Sequence, residues 1–331
     1  MDLKSITGIV PTSSINILTL SGIVGDSAFV ELIVAEKLIF SDSFAVVDGT
    51  LELWNFGDMV IDAAGDDVAP SCSIRVSADG GGLGVSFIAV VTRIALDNEG
   101  ILLDFNSTFL DSADLTLAPP GARAALAAVG SDIRETGLPS LSLSFVNDGS
   151  DMIPESLQVE GELSGAAAVY EFDLPEKPGL YRADLGNRHH FFVVAPMSGH
   201  HVIFCRNCLN APEYIYLRAK VTLQRTRTVN TAMVGGRTTE YDMKLVSEYE
   251  VSAAALPECQ FIPVSLLPAA RSISIDGVPA AVSELKTQLS RESDELFECK
   301  FTATLSRNLM SPANAAARGR IFRTQFDPSF N

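Results

Sequence analysis

At 331 residues, with 47% hydrophobic and 20% charged side chains, the chain can bury a core of ordinary globular size without a disulfide or metal staple. A formal charge of −17 counts against a protein that works by neutralising nucleic acid or an anionic membrane. The charge is uneven: residues 1–150 hold 6 Lys and Arg against 20 Asp and Glu, a net of −14, whereas residues 151–331 hold 18 against 21, a net of −3.

Five cysteines (Cys72, Cys205, Cys208, Cys259, Cys299) form an odd set without framework spacing, which points to a reducing compartment. The start, MDLKSITGIVPTSS, lacks the basic flank and long apolar stretch of a signal peptide. Asn106-Ser107-Thr108 therefore reads as a chance match to a glycosylation acceptor. No apolar run approaches the roughly 18 residues that span a bilayer. The expectation is a protein made in the cytoplasm of its producing cell, with no membrane contact and no direct nucleic-acid contact from its amino-terminal part.

Taken in order, the elements are mostly short strands. Phe44–Trp54 shows two alternating runs around Asp48-Gly49, the signal of a two-residue hairpin turn. Gly80–Gly84 (GGGLG) lacks the third glycine of a dinucleotide fingerprint and any following Lys-Ser/Thr, so it reads as a turn leading into the strand Gly84–Leu96. Asp58, Asp62, Asp66 and Asp67 lack the spacing of a calcium loop and read as a solvated acidic stretch. Pro120–Val129 is alanine-rich and predicts a short helix. Strands follow at Leu141–Val146 and Leu157–Leu163, and Tyr181 is expected at a sandwich corner. Tyr214–Val229 and Thr238–Val251 read as a long hairpin about Met233, with Arg225 and Arg227 brought near Asp242 and Glu240. Pro279–Arg291 places Val282, Leu285 and Leu289 on one helical face, and Ser311–Gly319 carries helix start and stop residues.

The fold class expected is all-β, with two β-sandwich or jelly-roll-like domains and a few short helices. The divisions are 1–118, an acidic β domain; 119–140, a linker with a short helix; 141–310, a second β-sandwich; and 311–331, a short helix and a carboxyl-terminal arm.

One constellation carries possible chemistry. All four histidines (His189, His190, His200, His201) and Cys205 and Cys208 fall within 20 residues. A hairpin pairing residue 195 with residue 200 would set His190 opposite Cys205, and Cys205-Arg206-Asn207-Cys208 has the spacing of a zinc knuckle. His190, Cys205 and Cys208 are therefore the candidate ligands of a structural zinc, against a reading of the thiols as small core fillers. No nucleophile elbow, HExxH or kinase signature is present, and no cofactor other than that zinc is expected.

The last segment, RGRIFRTQFDPSFN (Arg318–Asn331), alternates arginines with Ile321, Phe322, Phe326 and Phe330. Aromatic and arginine side chains are the types enriched at interface centres. Phe322, Arg323, Phe326 and Phe330 are thus the expected partner-binding residues. Together these features suggest a non-enzymatic assembly protein, with copies of itself or other subunits as partners. The fullest expectation is a capsid, decoration or tail component carried into a virus or phage particle. The alternatives are a cytoplasmic β-sandwich binding or adaptor protein and a metal-dependent hydrolase centred on His190, Cys205 and Cys208.

Overall fold

The computed structural model describes residues 6, 8–79, 81–94, 105, 107–130, 132–133, 138–146, 157–234, 237–289 and 297–305. The chain is all-β with short helices, and the described residues divide into three sheet packings that share a junction.

The first unit contains β1 (Gly8–Pro11), β2 (Ile17–Ser21), β3 (Ser27–Val34), β4 (Lys37–Ala45) and β5 (Thr50–Trp54). After α1 (Phe56–Ala64) come β6 (Ser71–Ala78) and β7 (Gly81–Val90). Five strands form a sheet in the order β1-β7-β6-β3-β4, and β2 pairs with β5 as a separate ribbon. In β3 the alternation of apolar residues sends Ala28, Val30, Leu32 and Val34 into the core, where they meet Leu18 and Leu53 of the ribbon and Phe56 and Val60 of α1. The Asp48-Gly49 turn forms with φ of 51° and 70°, the positive values a tight hairpin turn requires. Yet only Val47 and Thr50 bridge across it, because β4 and β5 diverge into different sheets.

The second unit is a two-layer sandwich. One sheet, in the order β11-β10-β14-β15-β8, comprises β8 (Leu115–Ala118), β10 (Leu141–Phe145), β11 (Leu157–Val159), β14 (Gly179–Leu185) and β15 (Arg188–Val194). The other sets β9 (Arg123–Ala128) and β12 (Glu162–Ser164) on either side of β13 (Ala167–Asp173). Leu143, Tyr181 and Phe192 from the first layer pack on Leu126, Tyr170 and Phe172 from the second. Each such ring or branched chain taken from water contributes roughly 1.5–3 kcal/mol. The Tyr181 hydroxyl donates to the Lys177 carbonyl at 2.8 Å, the corner bond expected of it. The helix expected over 120–129 is instead β9, paired with β13 from Arg123↔Asp173 to Ala128↔Ala168. Alanine suits helices, but here five successive side chains, four alanines and Leu126, are buried on both faces, which a helix with one wet face could not offer.

In the third unit a seven-stranded sheet runs in the order β17-β16-β20-β21-β22-β19-β18. Its strands are β16 (His200–Arg206), β17 (Pro212–Arg218), β18 (Lys220–Val234), β19 (Arg237–Leu256), β20 (Arg271–Ile275), β21 (Val278–Leu289) and β22 (Phe297–Leu305). A second helix, α2 (Glu258–Ser265), lays Val264 on Ile203, Leu217 and Phe301. The helix expected over Pro279–Arg291 is β21. A bulge between Val282 and Glu284 lets Val282 and Leu285, three residues apart, both pack on this core, which mimics helical spacing. The long hairpin is present, but its register pairs Met233 with Thr238 and Val234 with Arg237, out of step with a centre at Met233. Arg225 therefore stands opposite Ser247 and Arg227 opposite Leu245, not beside Asp242 and Glu240.

Candidate functional site

The zinc geometry inferred from the sequence does not form. β15 pairs with β14 and β8, whereas β16 pairs with β17 and β20, so the strands carrying His190 and Cys205 belong to different sheets. Opposite Cys205 stands Glu213, not His190. Cys205 packs into the third unit's core, and Cys208 into the junction cluster with Val68, Val90 and Val129. Burial pushes the Cys208 thiol up to about 11 and the Cys205 thiol well above its ordinary value, with the Glu213 carboxylate adding to both. Both thiols are thereby held in the protonated form of core side chains. Among the described residues no group of three or more His, Cys, Asp or Glu side chains is arranged to hold a metal ion. The expected arm residues Phe322, Arg323, Phe326 and Phe330, and the helix at 311–319, lie outside the described residues.

What the structure assembles around His190 is a chain of polar groups. Asp111 lies against its Nδ1, which leaves Nε2 to meet the Thr116 hydroxyl at 2.9 Å, while the ring packs on Phe192. Carboxylate, imidazole and hydroxyl in that order resemble a proton relay. A cavity of about 10 Å³ adjoins it, lined by Asp111, Thr116, Glu213 and Tyr216 among others. That is space for a single water, far below the hundreds of Å³ that a small-molecule substrate occupies.

The same cluster continues through Glu213, which is buried beside Asp111 and His190. Its Oε2 accepts from Ser112 Oγ at 2.6 Å and from Asn207 Nδ2 at 2.9 Å. Burial raises its pKa; the bonds from Ser112 and Asn207 pull it down, and Asp111 adds to the rise.

Asn207 is saturated. Nδ2 also donates to the Leu110 carbonyl at 2.8 Å, and Oδ1 accepts from the amides of Leu209 at 2.9 Å and Ala211 at 3.1 Å. Three residues on, Asn210 takes a left-handed φ of 61° and reaches the first unit. Its Nδ2 donates to the carbonyls of Gly65 at 3.2 Å and Asp67 at 2.8 Å, and its Oδ1 accepts from Arg93 at 2.8 Å. Two ion pairs flank it, Arg206–Asp66 and Arg271–Asp62, each at 3.3 Å. The acidic stretch read as solvated loop is thus partly helix, since Asp58 and Asp62 lie on α1, and two of its aspartates bind the third unit. Loop 207–211, which looked like a zinc knuckle, is a keystone of asparagines between units.

The sequence reading missed Asp111, Thr116, Asn207, Asn210 and Glu213. The available signal was a run of polar residues inside a strongly apolar stretch, IFCRNCLNAPEYIYL, which must find partners if buried.

No protein-family model matches the chain, and no curated protein does. Among solved structures it is similar to extracellular domains 3–5 of Drosophila OTK, at 10% identity, with 77% of this chain and 91% of that chain covered and a TM-score of 0.22. A second is the four amino-terminal Ig domains of Dscam1 isoform 9.44, solved with zinc, at 11% identity, 75% and 67% coverage and a TM-score of 0.17. Likenesses this distant carry no argument about function.

Proposed function

We propose that this protein is a non-enzymatic structural subunit that works through protein–protein contacts, and that it is a component of a virus or phage particle. The observation that carries the reading is the junction. The buried acid, imidazole, amide and hydroxyl groups brought together at 110–116, 190 and 207–213 form two adjoining clusters, Asp111–His190–Thr116 and Ser112–Glu213–Asn207, around a space for one water. Groups used in this way brace a building block and leave no room for a substrate. Surfaces suited to contact lie elsewhere. β4 and β18 are edge strands in their sheets, the position from which a sheet can be extended by another chain. Among the described residues, eight of the fourteen exposed large apolar side chains (Ile17, Val24, Phe29, Leu38, Ile39, Val47, Trp54, Leu83) belong to the first unit, which directs attention there as a docking face.

Mass measurement across a range of protein concentrations tests the proposal. Ordered oligomers that grow with concentration are expected. A chain that stays monomeric throughout would overturn it in favour of a cellular β-sandwich adaptor.

A further inference from the structure

We infer that the outer face of the β2–β5 ribbon receives the carboxyl-terminal segment Arg318–Asn331 of a second copy of this chain. The inference rests on the assembly reading above and names the surfaces that would meet.

Register defines the face. Ile17 pairs with Trp54, Thr19 with Glu52 and Ser21 with Thr50, while Leu18, Leu20, Leu51 and Leu53 point into the core. The outward row is therefore an apolar pair at one end, with Glu52 beside it. Trp54 is 57% exposed and Ile17 49%, so an aromatic and a β-branched side chain stand together in water. A tryptophan in that setting is the commonest kind of interface anchor.

Charge selects the occupant. Residues 6–94 hold 11 Asp and Glu against Lys37, Arg75 and Arg93, a net of −8. Glu52, Asp48 before β5 and Asp58 after it are all exposed around the ribbon. The segment Arg318–Asn331 offers the complement: Arg318, Arg320 and Arg323, one acid at Asp327, and the apolar Ile321, Phe322, Phe326 and Phe330. An arginine over the Trp54 ring adds a cation–π contact to the charge match. Edge strand β18, by contrast, carries Lys220, Arg225 and Arg227 and no acid, so it shares the segment's sign.

β20 and β22 both run antiparallel to β21, so β22 runs the same way as β20, from the level of Arg271 outward. Residues 306–317 can span at most about 40 Å, and the assembly reading assigns the ribbon that the segment meets to a neighbouring copy.

Trp54 is the chain's one tryptophan, so its fluorescence reports on this face alone. In the full-length protein, dilution should shift the emission to longer wavelength as the mass falls. Deleting Ile321–Asn331 should give long-wavelength emission at every concentration, and a synthetic peptide of Arg318–Asn331 should reverse it. Glu52→Lys, a surface change that leaves the core alone, should weaken association about two- to fivefold, with recovery when combined with Arg320→Glu. Emission unchanged by the deletion would overturn the inference, and so would a short-wavelength emission that persists at every dilution, since that means the chain covers its own ribbon. Should mass fall on dilution while Trp54 emission stays constant, assembly stands and this site falls. A chain monomeric at all concentrations removes the assembly reading, and the peptide titration then judges the ribbon separately.

Discussion

Loop 207–211 and the β18–β19 ribbon both belong to the third unit and are both rich in polar residues, yet they use them in opposite ways. In the loop, Asn207 and Asn210 are buried, with four side-chain hydrogen bonds on Asn207 and three on Asn210. In the ribbon, every residue from Thr222 to Thr228 is exposed, on both faces of the strand. A buried amide deprived of a partner forfeits the full cost of its desolvation, whereas water replaces any partner lost on an open strand. The same residue types therefore weld units together in one place and remain available for contact in the other.

The largest effect that this contrast predicts comes from Asn207→Leu. It leaves the Leu110 carbonyl and the amides of Leu209 and Ala211 without their side-chain partner and takes one of two donors from Glu213, and should destabilise the protein by about 4 kcal/mol, measured by urea unfolding. A loss near zero would mean that the junction is not a weld.

Next in size is Arg188→Met. Arg188 is buried at the edge of the second unit's sandwich. It donates to the carbonyls of Phe105 at 2.9 Å and Val129 at 3.1 Å, and to Asp132 at 2.7 Å. Removing it should cost about 3 kcal/mol. The Arg188 bond also holds the Asp132 carboxyl below its usual range. Its contribution is present above the unfolded-state value and is lost as pH falls through the lower folded one. Acid unfolding curves of Arg188→Met should lack that component.

Glu213→Gln sharpens the comparison with the opposite sign. Because burial raises the folded pKa of Glu213, the native state holds this proton more tightly than the unfolded chain does. The stability gained by the protonated acid is complete below the unfolded value of about 4.3 and is lost as pH rises through the folded value. Glutamine keeps the acceptor for Ser112 and Asn207 without charging. The variant should match the parent near pH 4 and exceed it at pH 8 in paired urea titrations. Equal stabilities at both would show that Glu213 carries no such linkage.

The smallest effect belongs to the ribbon. Met233, 78% exposed close to the hairpin turn, should accept Met233→Ser within about 0.5 kcal/mol by thermal melting.

Where one face of a strand is wet, its pattern was legible from the residues alone. β3 and β10 alternate as written, and the Tyr181 corner forms where its sequence placed it. The reading failed where the environment broke that premise. β9 is buried on both faces and lost its alternation. β21 carries a bulge that converts a period of two into a helical spacing. Helix α1 was hidden because its aspartates resembled a loop, and two acids, Asp62 on it and Asp66 just beyond it, are held by Arg271 and Arg206, 140 or more residues away. The Cys205–Cys208 spacing satisfied the geometry of a metal knuckle, but spacing says nothing about which sheet a strand joins.

By itself the sequence determined the β class, the acidic first half, the long basic hairpin and the tight turn at Asp48-Gly49. Each of these depends on local periodicity, composition or a residue's own φ preference. Tertiary structure alone decided that His190 meets Asp111 and Thr116, that Glu213 stands across from Cys205, and that Asn207 and Asn210 close the junction. Those partners are 74 to 143 residues apart in several of the bonds concerned. Buried polar groups take whichever partner the packed sheets bring within about 3 Å, and no local pattern encodes that choice.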